Sequence, residues 1–181
     1  MDHVPDDRAT ALECIVGKVN LTLDAEGRPK NVVVIPGSVA LARLVTAALA
    51  DEVPGISGTT RQKLDAIFSD NVHLTSIGQY FIAAVHYASL FGKAPAGAAD
   101  PVPSATAAFL ETLAWTAVTD YAADGDFAGA RPMSECRARI ASDVCPAFYS
   151  IRSLQAQNCT QWADANGPFR FPDPDLPLAA P

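Results

Sequence analysis

Apolar residues recur at helical spacing along most of the chain and bunch without alternation in one place. Leu12, Ile15, Val16 and Val19 share a face of a helix expected over residues 11–23, with Thr10 placed to cap it. The turn Asp24-Ala-Glu-Gly-Arg-Pro29 stops that helix. Val32-Val33-Val34-Ile35 is β-branched throughout and has no polar position between, a pattern that predicts an interior parallel strand covered on both faces. Pro36-Gly37 ends the strand, Ser38 can cap a helix running to about Asp51, and residues 54–60 read as a loop. Further on, Ser76-Ile77-Gly78-Gln79 fits a capping box, in which a serine hydroxyl bonds the N3 amide and a glutamine reaches back. Ile77, Tyr80, Phe81, Ala84, Val85 and Ala88 then mark one helical face up to Gly92. A last helix opens at Pro103-Ser104, with Leu110, Leu113, Ala117 and Tyr121 in register and Phe109 and Trp115 read as core.

Composition sharpens this into an organisation. Hydrophobic residues make up 49% and charged residues 18% of the 181, a globular profile with room for one domain and a modest appendage. The pattern divides the chain into a unit of residues 1–123 and a tail of residues 124–181. That tail ends in Phe171-Pro-Asp-Pro-Asp-Leu-Pro-Leu-Ala-Ala-Pro181, whose prolines disfavour helix. A net charge of −7 argues against nucleic acid and anionic lipid as partners. The apolar window from Val32 to Ala50 raises the question of a membrane span. Pro36-Gly37 interrupts it, however, and Arg43 near the bilayer centre would cost about 3 kcal/mol, so no span is expected. The opening Met-Asp-His-Val-Pro-Asp-Asp-Arg has neither a basic nor an apolar region, so no signal peptide is expected there.

The cysteines are Cys14, Cys136, Cys145 and Cys159, three of them in the tail. Their spacings do not match the paired ligands of a zinc site, and the chain has only three histidines. A disulfide within the tail, formed in an oxidising compartment, is the expectation, with Cys14 standing alone. Reduced structural thiols are the alternative, and spacing does not choose a pairing. Such a bond would agree with a periplasmic or secreted protein.

The candidate chemistry lies in Asp70-Asn71-Val72-His73, just ahead of the helix after Ser76. A carboxylate three residues before a histidine on a tight turn can reach one imidazole nitrogen. It would fix the tautomer and stabilise the imidazolium formed when the other nitrogen takes a proton. Activation of a serine hydroxyl requires that help, because its own pKa is too high for attack at neutral pH. Taken alone, D-x-x-H is a weak signal that also arises as a solvated loop pair or a helix cap.

Its surroundings add to it. Residues 68–95 carry Asp70-x-x-His73-Leu74, then Gly78, an apolar helix, and Tyr87-Ala-Ser-Leu-Phe-Gly92 with Pro95. This block resembles the last conserved block of the SGNH/GDSL-type serine hydrolases. The segment ending Ile35-Pro36 and the helix around Trp115 look like a bacterial branch of that family, so the resemblance covers about residues 10–121. It implies the C-terminal portion of a three-layer α/β/α fold, mostly helical here with one or few parallel strands. It also implies hydrolysis of a carboxyl or carbohydrate ester, with Asp70 orienting His73 and His73 acting as general base and then acid. No metal or organic cofactor is implied. The family's G-D-S nucleophile block and its glycine and G-x-N-D oxyanion blocks are absent from these residues. The chain by itself is therefore expected to be inactive, as a truncated product or as one part of a site completed elsewhere.

Other readings compete. Gly37-Ser38 after an apolar run looks like a nucleophile elbow, but Ala40 stands where a second glycine would be and Ser38 reads better as a helix cap. His86 is expected to be a hydrogen-bonded core histidine. A metal site joining it to Asp70 and His73 is disfavoured, because the helix carries it about 20 Å away. His3 stands in a terminal segment. The Phe127, Phe148, Tyr149 and Trp162 aromatics of the tail could cap a site. Outside enzymology, the alternative expectation is a non-catalytic helical module docking on a partner protein. Missing neighbour strands would leave an exposed sheet edge at Val32–Ile35 that invites association.

Overall fold

The computed structural model describes residues 4–70, 72–97 and 102–123, with Glu135, Cys136, Ala138, Ala141 and Ser142; side chains are described from residue 12 onward. Five helices are present among them: α1 (Val4–Ala25), α2 (Gly37–Leu49), α3 (Thr60–Ile67), α4 (Ser76–Phe91) and α5 (Ser104–Ala123). There is no strand among the described residues, only an isolated antiparallel bridge between Phe68 and Leu74. The expected α/β three-layer architecture is therefore wrong for these residues. The chain divides into two units, Met1–Val34 with Ala122–Pro181, and Ile35–Tyr121.

The strand expected at Val32–Ile35 is irregular backbone, and the sheet edge it would have exposed does not exist. The reason lies in its hydrogen bonds. The side-chain amide of Asn20 donates to the Val32 carbonyl at 2.9 Å, and its oxygen accepts from the Val32 amide at 3.2 Å. One asparagine thus satisfies both polar groups that a neighbouring strand would have paired. Of the four residues, only Val34 is fully buried.

Helix α1 also turns a different face inward from the one its pattern predicts. Val16 is buried as expected, but Leu12, Ile15 and Val19 are exposed, while Glu13, Cys14, Lys18 and Asn20 are buried. Cys14 is not a lone thiol: it is disulfide-bonded to Cys136, with Cα atoms 5.6 Å apart. A tether to a residue 122 positions away, together with the Asn20–Val32 contact, explains why the face bearing Cys14 and Asn20 points in. Cys136, one of the three tail cysteines among which a disulfide was expected, is thus bonded outside the tail; Cys145 and Cys159 lie outside the described residues, as do the tail aromatics, the Pro-rich terminus and His3.

Residues 35–121 follow the pattern more closely. Helix α2 packs on α3 and α4, and α3 packs on α4. Phe81, Leu44, Ile67, Val85 and Leu110 are almost wholly removed from water, an apolar core built from all four helices of this unit. Phe109, Leu113 and Trp115 are half-buried rather than core. Pro36 is the N-cap of helix α2 and offers no side-chain cap, so Ser38 lies within the first turn rather than capping it. At its other end the ammonium of Lys63, 6% exposed, donates to the Leu49 carbonyl at 3.1 Å and pairs with Asp51 at 2.7 Å. A cation there satisfies a terminal carbonyl and complements the helix dipole. No helix among the described residues is long and apolar enough to cross a membrane.

Candidate functional site

The chain between α3 and α4 forms a short closed loop that carries the predicted pair. Helix α3 begins at Thr60, the last residue of the segment that reads as loop in the sequence, and no long apolar repeat there announces it. It begins with a reciprocal capping box, Thr59 accepting from the Gln62 amide and Gln62 accepting from the Thr59 amide at 2.9 Å. At its far end Phe68 pairs with Leu74: the Ser69 amide donates to the His73 carbonyl at 3.0 Å, and the Thr75 amide donates to the Ile67 carbonyl at 2.9 Å. Two chain directions are thereby pinned on either side of residues 69–73.

Thr75, not Ser76, caps α4. Its hydroxyl accepts from the Gly78 amide and donates to the Ala66 carbonyl at 2.6 Å, so a single side chain joins the new helix to the end of the previous one. Gln79 reaches back not to a cap amide but to the Leu74 carbonyl, at 2.9 Å. Gly78 lies close against this junction. A Cβ there would meet the Ile67 carbonyl oxygen at 2.6 Å and the Leu74 side chain at 3.0 Å. Only a residue without a Cβ lets α4 start so near the loop.

Within the loop, Asp70 uses both oxygens. Oδ1 accepts from the amides of Val72 and His73, each at 2.8 Å, and Oδ2 lies 2.7 Å from Nδ1 of His73. The Val72 amide, then the His73 imidazole and the His73 amide, hold the carboxyl below its usual pKa. An ionised carboxylate only accepts hydrogen bonds, so Nδ1 carries a proton, and in the neutral ring Nε2 is the acceptor. The pair is solvated, with side-chain exposures of 54% for Asp70 and 74% for His73. Asp70 also borders a cleft of about 260 Å³ lined by Arg61, Leu64, Asp65 and Phe68.

The remaining candidates stand apart from this pair. No hydrogen bond joins Ser38 to His73 among the described residues. His86 is exposed on α4, not in the core, and its Nδ1 lies 2.8 Å from the Ile82 carbonyl. No group of three or more His, Cys, Asp or Glu able to hold a metal ion occurs among the described residues. Sequence reasoning missed the structural roles of Thr75, Lys63 and Gly78. Thr59-Thr-Arg-Gln62 did carry a readable signal for α3, the same capping pattern sought at Ser76.

Comparison of the chain with models of protein families, with curated proteins and with solved structures found no match. None of the three comparisons supports the expected resemblance to SGNH/GDSL-type hydrolases.

Proposed function

We propose that this chain carries the acid–base half of a serine-esterase site, with Asp70 as the orienting carboxylate and His73 as the general base. The observation that supports it is the 2.7 Å contact between Oδ2 and Nδ1, made while two backbone amides hold the other carboxylate oxygen. That arrangement leaves Nε2 free to take a proton from a hydroxyl. A bonded carboxylate would stabilise the imidazolium that results. The serine and the oxyanion donors are supplied from outside these 181 residues, and the substrate is a small carboxyl or carbohydrate ester.

The test follows the protein in the cells that make it. A fluorophosphonate probe should label a serine in the polypeptide or complex containing this chain. Labelling should disappear in His73→Ala and fall in Asp70→Asn. The isolated 181-residue chain should hydrolyse p-nitrophenyl acetate only at the background rate. Labelling untouched by His73→Ala overturns the proposal.

A second reading, a non-catalytic helical module, draws support from the solvated position of the pair and from the exposed apolar side chains of α1. Under that reading both substitutions leave every esterase signal unchanged.

A further inference from the structure

Away from the Asp70–His73 loop, α4 and α5 border a groove of about 450 Å³, within the size range of small-molecule sites. It is lined by Tyr80, Ala83, Ala84 and Tyr87 of α4, by Pro95, and by Glu111 of α5, which meets Tyr80 across it. The alanines leave room between the two aromatic rings. Tyr87 also contacts Phe91, their ring centroids 4.9 Å apart.

Among the described residues of this lining Glu111 is the only charged one, and no lysine or arginine accompanies it. The Tyr80 hydroxyl donates to its Oε1 at 2.6 Å. Burial and the neighbouring carboxylate push the Tyr80 hydroxyl up to about 12, so near neutral pH it stays a donor and holds the glutamate oxygen in position. A single oriented carboxylate at the edge of an apolar, aromatic groove selects by charge. It repels anions and gives a divalent metal too few oxygens. An organic cation gains both a counter-charge and the faces of aromatic rings.

We propose that this groove binds a small soluble organic ammonium compound, its cationic head against Glu111 and the Tyr80 and Tyr87 rings and its apolar body along Ala83, Ala84 and Pro95. The site is independent of the esterase reading and uses none of the residues assigned to that chemistry.

Titration calorimetry of the whole chain with n-hexyltrimethylammonium tests it, with 1-hexanol and hexanoate as neutral and anionic controls. The ammonium should bind at least about tenfold more tightly than either control, and its affinity should fall as salt is added. Glu111→Gln keeps an oxygen for the Tyr80 hydroxyl and so preserves the fold, checked by circular dichroism. It should weaken the ammonium about tenfold and leave 1-hexanol unchanged. Tyr87→Ala should weaken it about threefold. Equal affinity for hexanol, or an ammonium affinity indifferent to Glu111→Gln, overturns the proposal. So does capture by phosphatidylcholine vesicles without affinity for the free ammonium, which would mark a lipid-headgroup surface instead.

Discussion

In residues 35–121 the interior is apolar: Leu44, Ile67, Phe81, Val85 and Leu110 are almost wholly buried, and Lys63 enters only with its carbonyl and carboxylate partners supplied. The described part of the other unit is built differently. Its helix α1 buries Glu13, Lys18 and Asn20 beside Cys14 and Val16, and leaves Leu12, Ile15 and Val19 outside. One region is stabilised by removing apolar area from water, about 25 cal/mol per Å². The other depends on a covalent tether and on side-chain bonds to backbone, as at Asn20 and Val32. The first kind of stability is indifferent to redox conditions. The second is not, because reduction cleaves the Cys14–Cys136 bond to two thiols and removes the tether.

Phe81→Ala should break the apolar side of this contrast most severely. It empties the largest fully buried side chain of the core and should cost about 3–5 kcal/mol in denaturant unfolding. Reducing the Cys14–Cys136 bond, or replacing Cys14 with Ser, should cost the other unit about 2–5 kcal/mol. Hydrogen exchange locates that loss: amides of α1 should lose protection while those of α4 keep theirs. Equal loss in both helices would erase the distinction between the units.

Gly78→Ala probes the junction that holds the candidate site. The added methyl meets a backbone carbonyl that cannot swing aside, so about 1–3 kcal/mol should be lost. Exchange should quicken at the Ser69 and Thr75 amides, whose bonds close the loop.

The smallest effect is electrostatic. Because the folded state holds Asp70 below its usual pKa, its contribution to stability is present above the unfolded value and is lost as pH falls through the lowered one. Nitrogen NMR of the His73 ring should show the Nδ1-protonated form at neutral pH, and Asp70→Ala should restore the mixture of tautomers. An unchanged tautomer would separate the ring's state from the carboxylate.

Much of the helical unit was legible in the chain, and so was the contact at its candidate site. The face of α4 through Phe81, Ala84, Val85 and Ala88 follows from apolar spacing alone, and Gly92 ends the helix in the left-handed conformation that favours glycine. Asp70 reaches His73 because a three-residue separation on a tight turn is a local geometry. The face of α1 was not legible. Its apolar spacing pointed to Leu12, Ile15 and Val19, but a disulfide to a residue far along the chain and an asparagine bonded to Val32 oriented the helix otherwise.

Local preferences, then, were enough to place α2, α4, α5 and the Asp70–His73 turn, since each depends on side chains a few positions apart. Whether Val32–Ile35 became a strand, which way α1 faced and how near α4 could start to the loop depended on distant atoms. A β-branched run becomes a strand only beside another extended segment, and here the side-chain amide of Asn20 took up the Val32 backbone groups instead. Tertiary contacts settled those questions because the hydrogen-bond partners, the disulfide and the space at Gly78 all come from elsewhere in the chain.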